Sequence, residues 1–226
     1  MATFARAEGQ WLKVAGGAKA QCLEATANRA RRRPGALLAE CGAFVGYSAV
    51  AAARRAAAAR LLSCELDPVH VAVARFVAAL ALPAADIRFR PGRAADLLPL
   101  LVEEAGERAL AFLFMDHSNA RFHEELTKLG QLAAASPPAQ VLADNVLKPG
   151  APIFLWCASH GFSEVAALAV SEFQHDDQED WMVAVGVASP ARSAPRGGMR
   201  GLRPEGFRTG TPFSWRWWWG WRRNKS

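Results

Sequence analysis

The sequence predicts an α/β fold in which helices cover both faces of a mainly parallel sheet. Short apolar runs alternate with alanine-rich segments of helical period between Ala36 and Ala143, a pattern typical of repeated β-α-β units. The 226 residues, 51% of them hydrophobic, are enough for one sizeable domain with its own core. No apolar stretch of membrane-spanning length is free of charge, so we expect no transmembrane segment.

The individual elements follow from periodicity and from the positions of proline and glycine. A first helix is predicted over residues 11–32, although Gly16-Gly17 weakens its start. Five strands are predicted at residues 36–41, 61–66, 87–90, 109–115 and 140–143, and further helices at residues 47–60, 68–80, 93–106, 122–135 and 153–159. Residues 165–173 and 181–187 are expected to form an antiparallel pair of strands at the end of the sheet.

The net charge of +6 belongs to the C-terminal segment rather than to the body of the chain. Residues 190–226 carry nine Lys or Arg and one acid, whereas the remainder holds 18 basic and 20 acidic residues. A nearly neutral body gives no electrostatic reason to expect a specific nucleic-acid partner. The Gly, Pro and Arg content after Ser189 predicts a domain over residues 1–189 and a basic, disordered tail over residues 190–226.

The tail ends in WRWWWGWRRNKS, which holds five of the eight tryptophans. Aromatic rings interleaved with arginine can lie at a membrane surface or stack on single-stranded nucleic acid. A third interpretation is an extension without a role. The sequence leaves these three alternatives open.

The cysteines and the N-terminus predict a cytoplasmic protein. The four cysteines show no CxxC or metal-binding spacing, and two of them lie in predicted buried strands, so we expect reduced thiols. The first ten residues, MATFARAEGQ, lack the apolar core of a signal peptide.

Polar or flexible residues follow each of the first five predicted strands, at the edge where parallel sheets bind ligands. They are Glu40 and Gly42, Glu65, Gly92, Asp116 and His117, and Asp144 and Asn145. Gly42 lets the backbone approach a ligand, and the helix start at Tyr47-Ser48 offers unpaired N–H groups. The turn lacks the GxGxxG spacing and a flanking basic residue, which favours an adenosyl ligand without phosphates. Glu65 is placed to hold the hydroxyls of its ribose.

Asp116, Asp144 and Asn145 supply three oxygen donors from neighbouring strand ends. With a single histidine and no cysteine nearby, such a set suits Mg²⁺ better than Zn²⁺. The alternative is that the two aspartates only cap the helices that follow them. The pattern does not choose between these interpretations.

Four motifs make the sequence resemble the catechol O-methyltransferase family. They are AECGAFVGYSAV (39–50), CELDP (64–68), MDH (115–117) and ADNVLKPGAP (143–152), and their spacings match over roughly residues 11–189. The resemblance implies a Rossmann-like seven-stranded methyltransferase sheet, S-adenosylmethionine as cofactor, and bound Mg²⁺. It also implies transfer of a methyl group to one hydroxyl of a small-molecule catechol.

The resemblance assigns a role to each matching position. Cofactor contacts are implied for Ala15, Glu40, Gly42, Tyr47, Ser48, Glu65, Gly92, Asp116 and His117, with Glu65 on the ribose and His117 on the adenine. The implied metal ligands are Asp116, Asp144 and Asn145. Trp11 and Pro149 would wall the catechol slot, and Asn145 would also face the catechol. Glu179 would accept a hydrogen bond from the hydroxyl that does not react.

The chain departs from the family at the general base. The family carries lysine directly after Asp-His-Trp, where this sequence has Ser118 and then Asn119, whose amide cannot take a proton at neutral pH. A positioned base is worth about 10²–10⁴-fold in rate, and a metal ion substitutes for it in part. We therefore predict a slower enzyme or one with a shifted substrate, with Lys148 and Lys13 as candidate replacement bases. The alternative is a non-catalytic cofactor-binding relative; in either case we expect a monomer.

Overall fold

The described residues of a computed structural model are 14–30, 35–55, 60–105, 110–131, 135–162, 164–171 and 179–187. The chain divides into two units, Met1–Ser189 and Pro190–Ser226, and every described residue lies in the first. The predicted tail lies outside the described residues, as do Trp11 and Lys13.

Strands and helices alternate along the first unit as the sequence predicts. The strands are β1 (Leu37–Cys41), β2 (Arg60–Glu65), β3 (Ile87–Pro91), β4 (Leu110–Met115), β5 (Ala135–Ala143), β6 (Glu164–Ser171) and β7 (Glu179–Val187). The helices are α1 (Gly17–Ala30), α2 (Tyr47–Arg55), α3 (Pro68–Ala81), α4 (Ala94–Ala105), α5 (Phe122–Gln131) and α6 (Pro152–Gly161). A 3₁₀ turn (Asn119–Arg121) precedes α5, and a π-helical turn (Val146–Gly150) precedes α6.

The seven strands form one sheet in the order β3-β2-β1-β4-β5-β7-β6. The pairs among β1 to β5 are parallel, whereas β7 runs antiparallel to both β5 and β6. The α/β fold class and the antiparallel pair at the end of the sheet are therefore confirmed. The strand order reverses between β1 and β4, and open α/β sheets bind ligands at such a switch point.

Side chains alternate along the central strands and fill a core on each face of the sheet. On one face Leu38, Phe112 and Phe114 belong to a buried cluster with residues of α1, α2 and α3. On the other face Leu113 and Met115 belong to a second cluster with residues of α4, α5 and α6. Helices cover both faces, as predicted, and this explains why all six residues of β4 are buried.

Three predicted boundaries are wrong near the start of the chain. The first helix begins at Gly17 rather than at residue 11, because Gly17 has a φ of 55° and residues 14–16 are not helical. A positive φ interrupts a right-handed helix, so the Gly16-Gly17 pair sets its start. Arg60 opens β2 instead of ending a helix, and Leu66 lies beyond the end of β2.

The start of β5 is also earlier than predicted. The strand begins at Ala135, where the sequence predicts the end of a helix, and not at Gln140. Pro137 and Pro138 explain the difference, since proline lacks an N–H donor and drives the preceding residue away from helical conformation. The pairing of β4 with β5 shifts register along this proline-containing stretch.

Candidate functional site

A cavity of about 1120 Å³ opens at the carboxyl ends of the parallel strands. Its wall includes most of the residues singled out in the sequence: Ala15, Gly42, Tyr47, Ser48, Glu65, Gly92, Asp116, His117, Asn119, Asp144, Asn145 and Pro149. Residues from distant parts of the chain thus converge on one cavity at the edge that the β-α alternation indicates.

Backbone hydrogen bonds continue the sheet one residue past the strands and bring the acidic side chains to a common level. The N–H of Asp116 donates to the carbonyl of Cys41 over 2.9 Å, which joins the end of β4 to the end of β1. The N–H of Asp144 donates to the carbonyl of Met115 over 3.0 Å, which joins the end of β5 to that of β4. Asp116 and Asp144 therefore leave neighbouring strands at the same edge.

Gly42 permits the close approach of β1 and β4 at the switch point. Its φ is +99°, and a Cβ added there would lie 2.8 Å from the carbonyl carbon of Asp116 and closer still to its oxygen. No other residue type tolerates both this backbone conformation and this contact. The glycine thereby sets the position of Asp116 in the cavity wall.

Glu65 is held by two backbone N–H groups. Its Oε2 accepts from Phe44 over 2.8 Å, and its Oε1 accepts from Asp67 over 3.0 Å. A carboxylate has about four acceptor positions, so Glu65 keeps capacity for hydroxyl donors while its orientation is fixed. This geometry suits the predicted contact with a ribose.

Glu40 does not reach the cavity, in contrast to its predicted role as a lining residue. Its side chain is 2% exposed and accepts a hydrogen bond from the Ser63 hydroxyl on the neighbouring strand β2. Burial raises the pKa of Glu40 to about 7, against the lowering effect of hydrogen bonds from Ser48 and Ser63. Glu40 therefore stands behind Ser48, which lines the cavity, and supports the wall from inside.

His117 presents an imidazole with unused hydrogen-bonding capacity. Its Nε2 lies 3.3 Å from Oε1 of the buried Glu125, but among the described residues neither ring nitrogen has a hydrogen-bond partner. The ring packs against Phe122 at a centroid distance of 5.1 Å. Buried polar atoms without a partner call for one, and a nitrogen heterocycle such as adenine would supply it.

A buried ion pair between Lys19 and Asp144 was missed by sequence reasoning. Lys19 Nζ lies 3.1 Å from Asp144 Oδ2, and the two side chains are 4% and 2% exposed. The other oxygen, Oδ1, accepts from the N–H of Asn145 over 2.8 Å. The available signal was spacing, because Lys19 falls on the same stripe of α1 as the buried Leu23 and Ala27.

The two aspartates do not occupy the N-cap positions of the turns that follow them. Ser118 precedes the 3₁₀ turn and Asn145 precedes the π-helical turn, and neither makes a side-chain capping bond. Within the described residues no three His, Cys, Asp or Glu side chains form a metal-binding group. Asp116, Asp144 and Asn145 nevertheless line one cavity with two carboxylates and one amide, a donor set that suits a hard cation which keeps several waters.

Asn119 clamps the loop that carries these donors. Its Nδ2 donates to the carbonyls of Asp144 over 3.0 Å and Asn145 over 3.1 Å. Asn145 itself has a left-handed backbone with a φ of 56°, which is an uncommon conformation for a side-chain-bearing residue. Asn119 therefore positions this loop through its amide hydrogens.

The predicted catechol slot is only partly described. Pro149 and Asn145 line the cavity, whereas Trp11 lies outside the described residues. Glu179 opens β7 opposite Ser171 of β6, but its side chain is outside the described part of the chain. Its contact with a substrate hydroxyl stays a prediction.

The four cysteines are all free thiols, as predicted. Cys41 and Cys64 are buried in β1 and β2, and burial raises the pKa of the Cys64 thiol to about 12. Among the described helices, none has the length and apolar character needed to cross a membrane.

Comparison with known proteins identifies related sequences. The family model described as O-methyltransferase matches residues 35–151. Catechol O-methyltransferase of Mus musculus is 32% identical over 149 residues, which cover 66% of this chain and 55% of that protein. The protein of the same name from Sus scrofa is 37% identical over 125 residues, which cover 55% of this chain and 67% of that protein. The chain thus spans about half the length of its mouse relative.

Solved structures share the fold. An O-methyltransferase, TomG, from Streptomyces achromogenes in complex with SAM has a TM-score of 0.67 and 22% identity, covering 83% of this chain and 87% of that one. An O-methyltransferase from Bacillus cereus in complex with SAH has a TM-score of 0.64 and 18% identity, and the match covers 82% of this chain and 88% of that one. At these identities the likeness establishes the architecture: a seven-stranded Rossmann-like methyltransferase sheet.

Proposed function

This chain belongs to the O-methyltransferase family, and we propose that it transfers a methyl group from S-adenosylmethionine to one hydroxyl of a Mg²⁺-bound catechol. The observation that carries the proposal is a single cavity at the carboxyl ends of β1 to β5. It combines Glu65 and His117, which suit an adenosyl group, with the oxygen donors of Asp116, Asp144 and Asn145.

The cofactor part of the proposal rests on the β1, β2 and β4 ends of the cavity. Glu65 would accept from the ribose hydroxyls, and His117 would lie against the adenine. Ala15, Gly42, Tyr47, Ser48 and Gly92 complete the part of the wall assigned to the cofactor. When bound, S-adenosylmethionine supplies a methyl group activated by its positively charged sulfur.

The metal part rests on the donor set at the ends of β4 and β5. Asp116, Asp144 and Asn145 would hold Mg²⁺, which when bound lowers the pKa of a coordinated hydroxyl. Lys19 already neutralises part of the charge of Asp144, so the protein offers the metal less negative charge than two isolated carboxylates would.

The reaction is an in-line displacement. The cofactor would supply its methyl group to a catechol oxygen; the new carbon–oxygen bond would replace the carbon–sulfur bond, whose electron pair would stay on sulfur, and the hydroxyl proton would pass to a base, for which Lys148 and Lys13 are the candidates. Aligning two reactants in this way accounts for a large share of catalysis in such reactions. The task of the chain is therefore to hold the wall rigid, which Gly42 and the Asn119 clamp serve.

The proton acceptor differs from that of the family. Asn119 cannot accept a proton, and both of its described hydrogen bonds are donations to carbonyls. Lys148 lines the cavity and Lys13 lies outside the described residues, so each stays a candidate. A non-catalytic relative that binds the cofactor is the second candidate function, and Asn119 is the observation that favours it.

The test is transfer of a labelled methyl group from S-adenosylmethionine to 3,4-dihydroxybenzoate, with Mg²⁺ and then with EDTA. We expect product with Mg²⁺ that is lost with EDTA. Cofactor binding without product would favour the non-catalytic relative. Absence of cofactor binding would contradict both functions.

A further inference from the structure

We propose that the substrate is a catechol carrying an acidic substituent, and that Lys148 pairs with this acid at the mouth of the cavity. The inference rests on the proposed methyl transfer to catechols and narrows the substrate class. It makes Lys148 a determinant of specificity that the family resemblance does not assign.

Lys148 lies at the catechol end of the cavity. It belongs to the π-helical turn, directly before Pro149 and three residues after Asn145, and all three residues line the cavity. Its φ of −142° and ψ of 113° are extended rather than helical. Because its side chain is exposed, the ammonium group can meet a substituent that projects from the ring toward solvent.

Lys148 is a cation without a competing partner in the described part of the chain. No ion pair or side-chain hydrogen bond joins it to another described residue, whereas Lys19 is paired with Asp144 and Arg121 lies 3.9 Å from Glu124. An exposed cation at the rim of a cavity attracts anionic ligands and repels cationic ones.

The described acids of the cavity have other roles. Glu65 is held by the N–H groups of Phe44 and Asp67, and Glu125 lies against His117. Asp116 and Asp144 lie at the strand ends proposed for the metal.

The segment that carries the catechol wall has no acid. Lys148 is the only charged residue between Asn145 and Pro149. An ammonium group on the substrate would therefore meet repulsion there, and a carboxylate would meet attraction. Glu179, whose side chain is outside the described residues, is predicted to take a ring hydroxyl instead.

Arg93 offers a matched control at the other end of the cavity. It also lines the cavity and has an exposed side chain without an ion pair among the described residues. It follows Gly92 at the end of β3, whereas Lys148 lies beyond β5, so three strands (β2, β1 and β4) separate the two ends. The charge of Arg93 should therefore not affect the preference for a catechol with an acidic substituent over one with an amine.

The experiment compares kcat/KM for 3,4-dihydroxybenzoate and 3,4-dihydroxyphenylethylamine at low ionic strength. The wild type should prefer the acid. An exposed ion pair corresponds to roughly a two- to fivefold effect, so Lys148→Met should lower the acid-to-amine ratio by about that factor. Lys148→Glu should lower it by about tenfold or more, since attraction becomes repulsion. Lys148→Arg and Arg93→Met should keep the wild-type ratio.

Salt gives an independent readout. The acid-to-amine ratio of kcat/KM should fall for the wild type as ionic strength rises, because exposed charges are screened. The same ratio should change much less for Lys148→Met, which lacks the charge. An unchanged ratio in both Lys148→Met and Lys148→Glu would overturn the inference. So would an equal loss of kcat on both substrates, which would indicate a general base. No transfer to either probe by the wild type would refute the proposed function and this inference with it.

Discussion

The buried pair of Lys19 and Asp144 sets the charge balance of the cavity at the scale of single residues. Both side chains are almost fully withdrawn from water. A buried charge is tolerated when it is paired, and it becomes costly when its partner is removed. The contact thus ties α1 to the end of β5 and places a positive charge beside Asp144 at the cavity wall.

Lys19→Met should lower the free energy of unfolding by about 3–5 kcal/mol, because it removes the cation that pairs with the buried Asp144 carboxylate. Lys148→Met is the matched control, since this lysine is exposed and should change stability by less than about 0.5 kcal/mol. Urea denaturation followed by circular dichroism measures both. Equal stability of the two variants would show that the buried pair contributes little.

Glu40 predicts a pH dependence of stability. Its pKa is raised from 4.5 to about 7, so the native state holds a proton that the unfolded chain releases between these values. The stabilisation is complete below about pH 4.5 and is lost as pH rises through about 7, by roughly 3 kcal/mol. Between pH 5 and 8 the free energy of unfolding should fall less for Glu40→Gln than for the wild type, because glutamine does not titrate. Parallel curves for the two proteins in denaturation experiments would refute this assignment.

Asn119→Lys should raise kcat, because an amine at this position can accept the hydroxyl proton and the amide cannot. A positioned base adds about 10²–10⁴-fold, and loss of part of the clamp reduces the gain, so we expect at least a tenfold increase. Asn119→Met is the control of similar length without an amine, and it should lower kcat. Steady-state methyl transfer measures both, and no gain with lysine would mean that this base is not the missing component.

At the scale of elements, the turn between β1 and α2 governs where β4 ends. Gly42 and Gly35 both have positive φ, at 99° and 71°, but only Gly42 is packed against another chain segment. Alanine variants at the two positions therefore distinguish the cost of backbone strain, which both share, from the cost of displacing Asp116, which only Gly42→Ala has.

Gly42→Ala should destabilise the protein and weaken S-adenosylmethionine binding by at least tenfold, because the new methyl group displaces Asp116. Gly35→Ala should cost only the left-handed strain of about 1–2 kcal/mol and leave binding unchanged, since nothing lies within 4 Å of its added Cβ. Isothermal titration calorimetry with the cofactor, alongside denaturation, compares them. Similar binding by both variants would contradict the role given to Gly42.

At the scale of the whole molecule, all described cavity residues lie between Val14 and Pro149, and the last strand ends at Val187. A chain truncated after Ser189 should therefore keep methyl transfer within about twofold of the full chain. Vesicles with anionic lipids test the tail separately. If the truncated chain keeps its activity but no longer partitions to the vesicles, the membrane-surface interpretation of residues 190–226 is favoured. Loss of activity would contradict the predicted domain boundary.

Three further expectations from the sequence stay predictions: the monomeric state, the lack of a nucleic-acid partner and the cytoplasmic location.

The sequence by itself determined the class of the sheet, most strand ends and the residues that gather there. These features depend on periodicity, turn residues and short motifs, which act between neighbours in the chain. Gly42, Glu65, Asp116 and Asp144 could be placed at one edge because parallel strands share their carboxyl ends. Two of the boundary errors, at Gly17 and at the start of β5, arose where glycine or proline overrode a weak apolar pattern.

Only the tertiary structure decided which of these side chains face the cavity and what each one contacts. Glu40 lies behind Ser48, Lys19 pairs with Asp144 from a distant helix, and Asn119 bonds to the carbonyls of a neighbouring strand end. These contacts join segments that are far apart in the chain. Their geometry depends on strand order and packing, and no local pattern in the sequence encodes it.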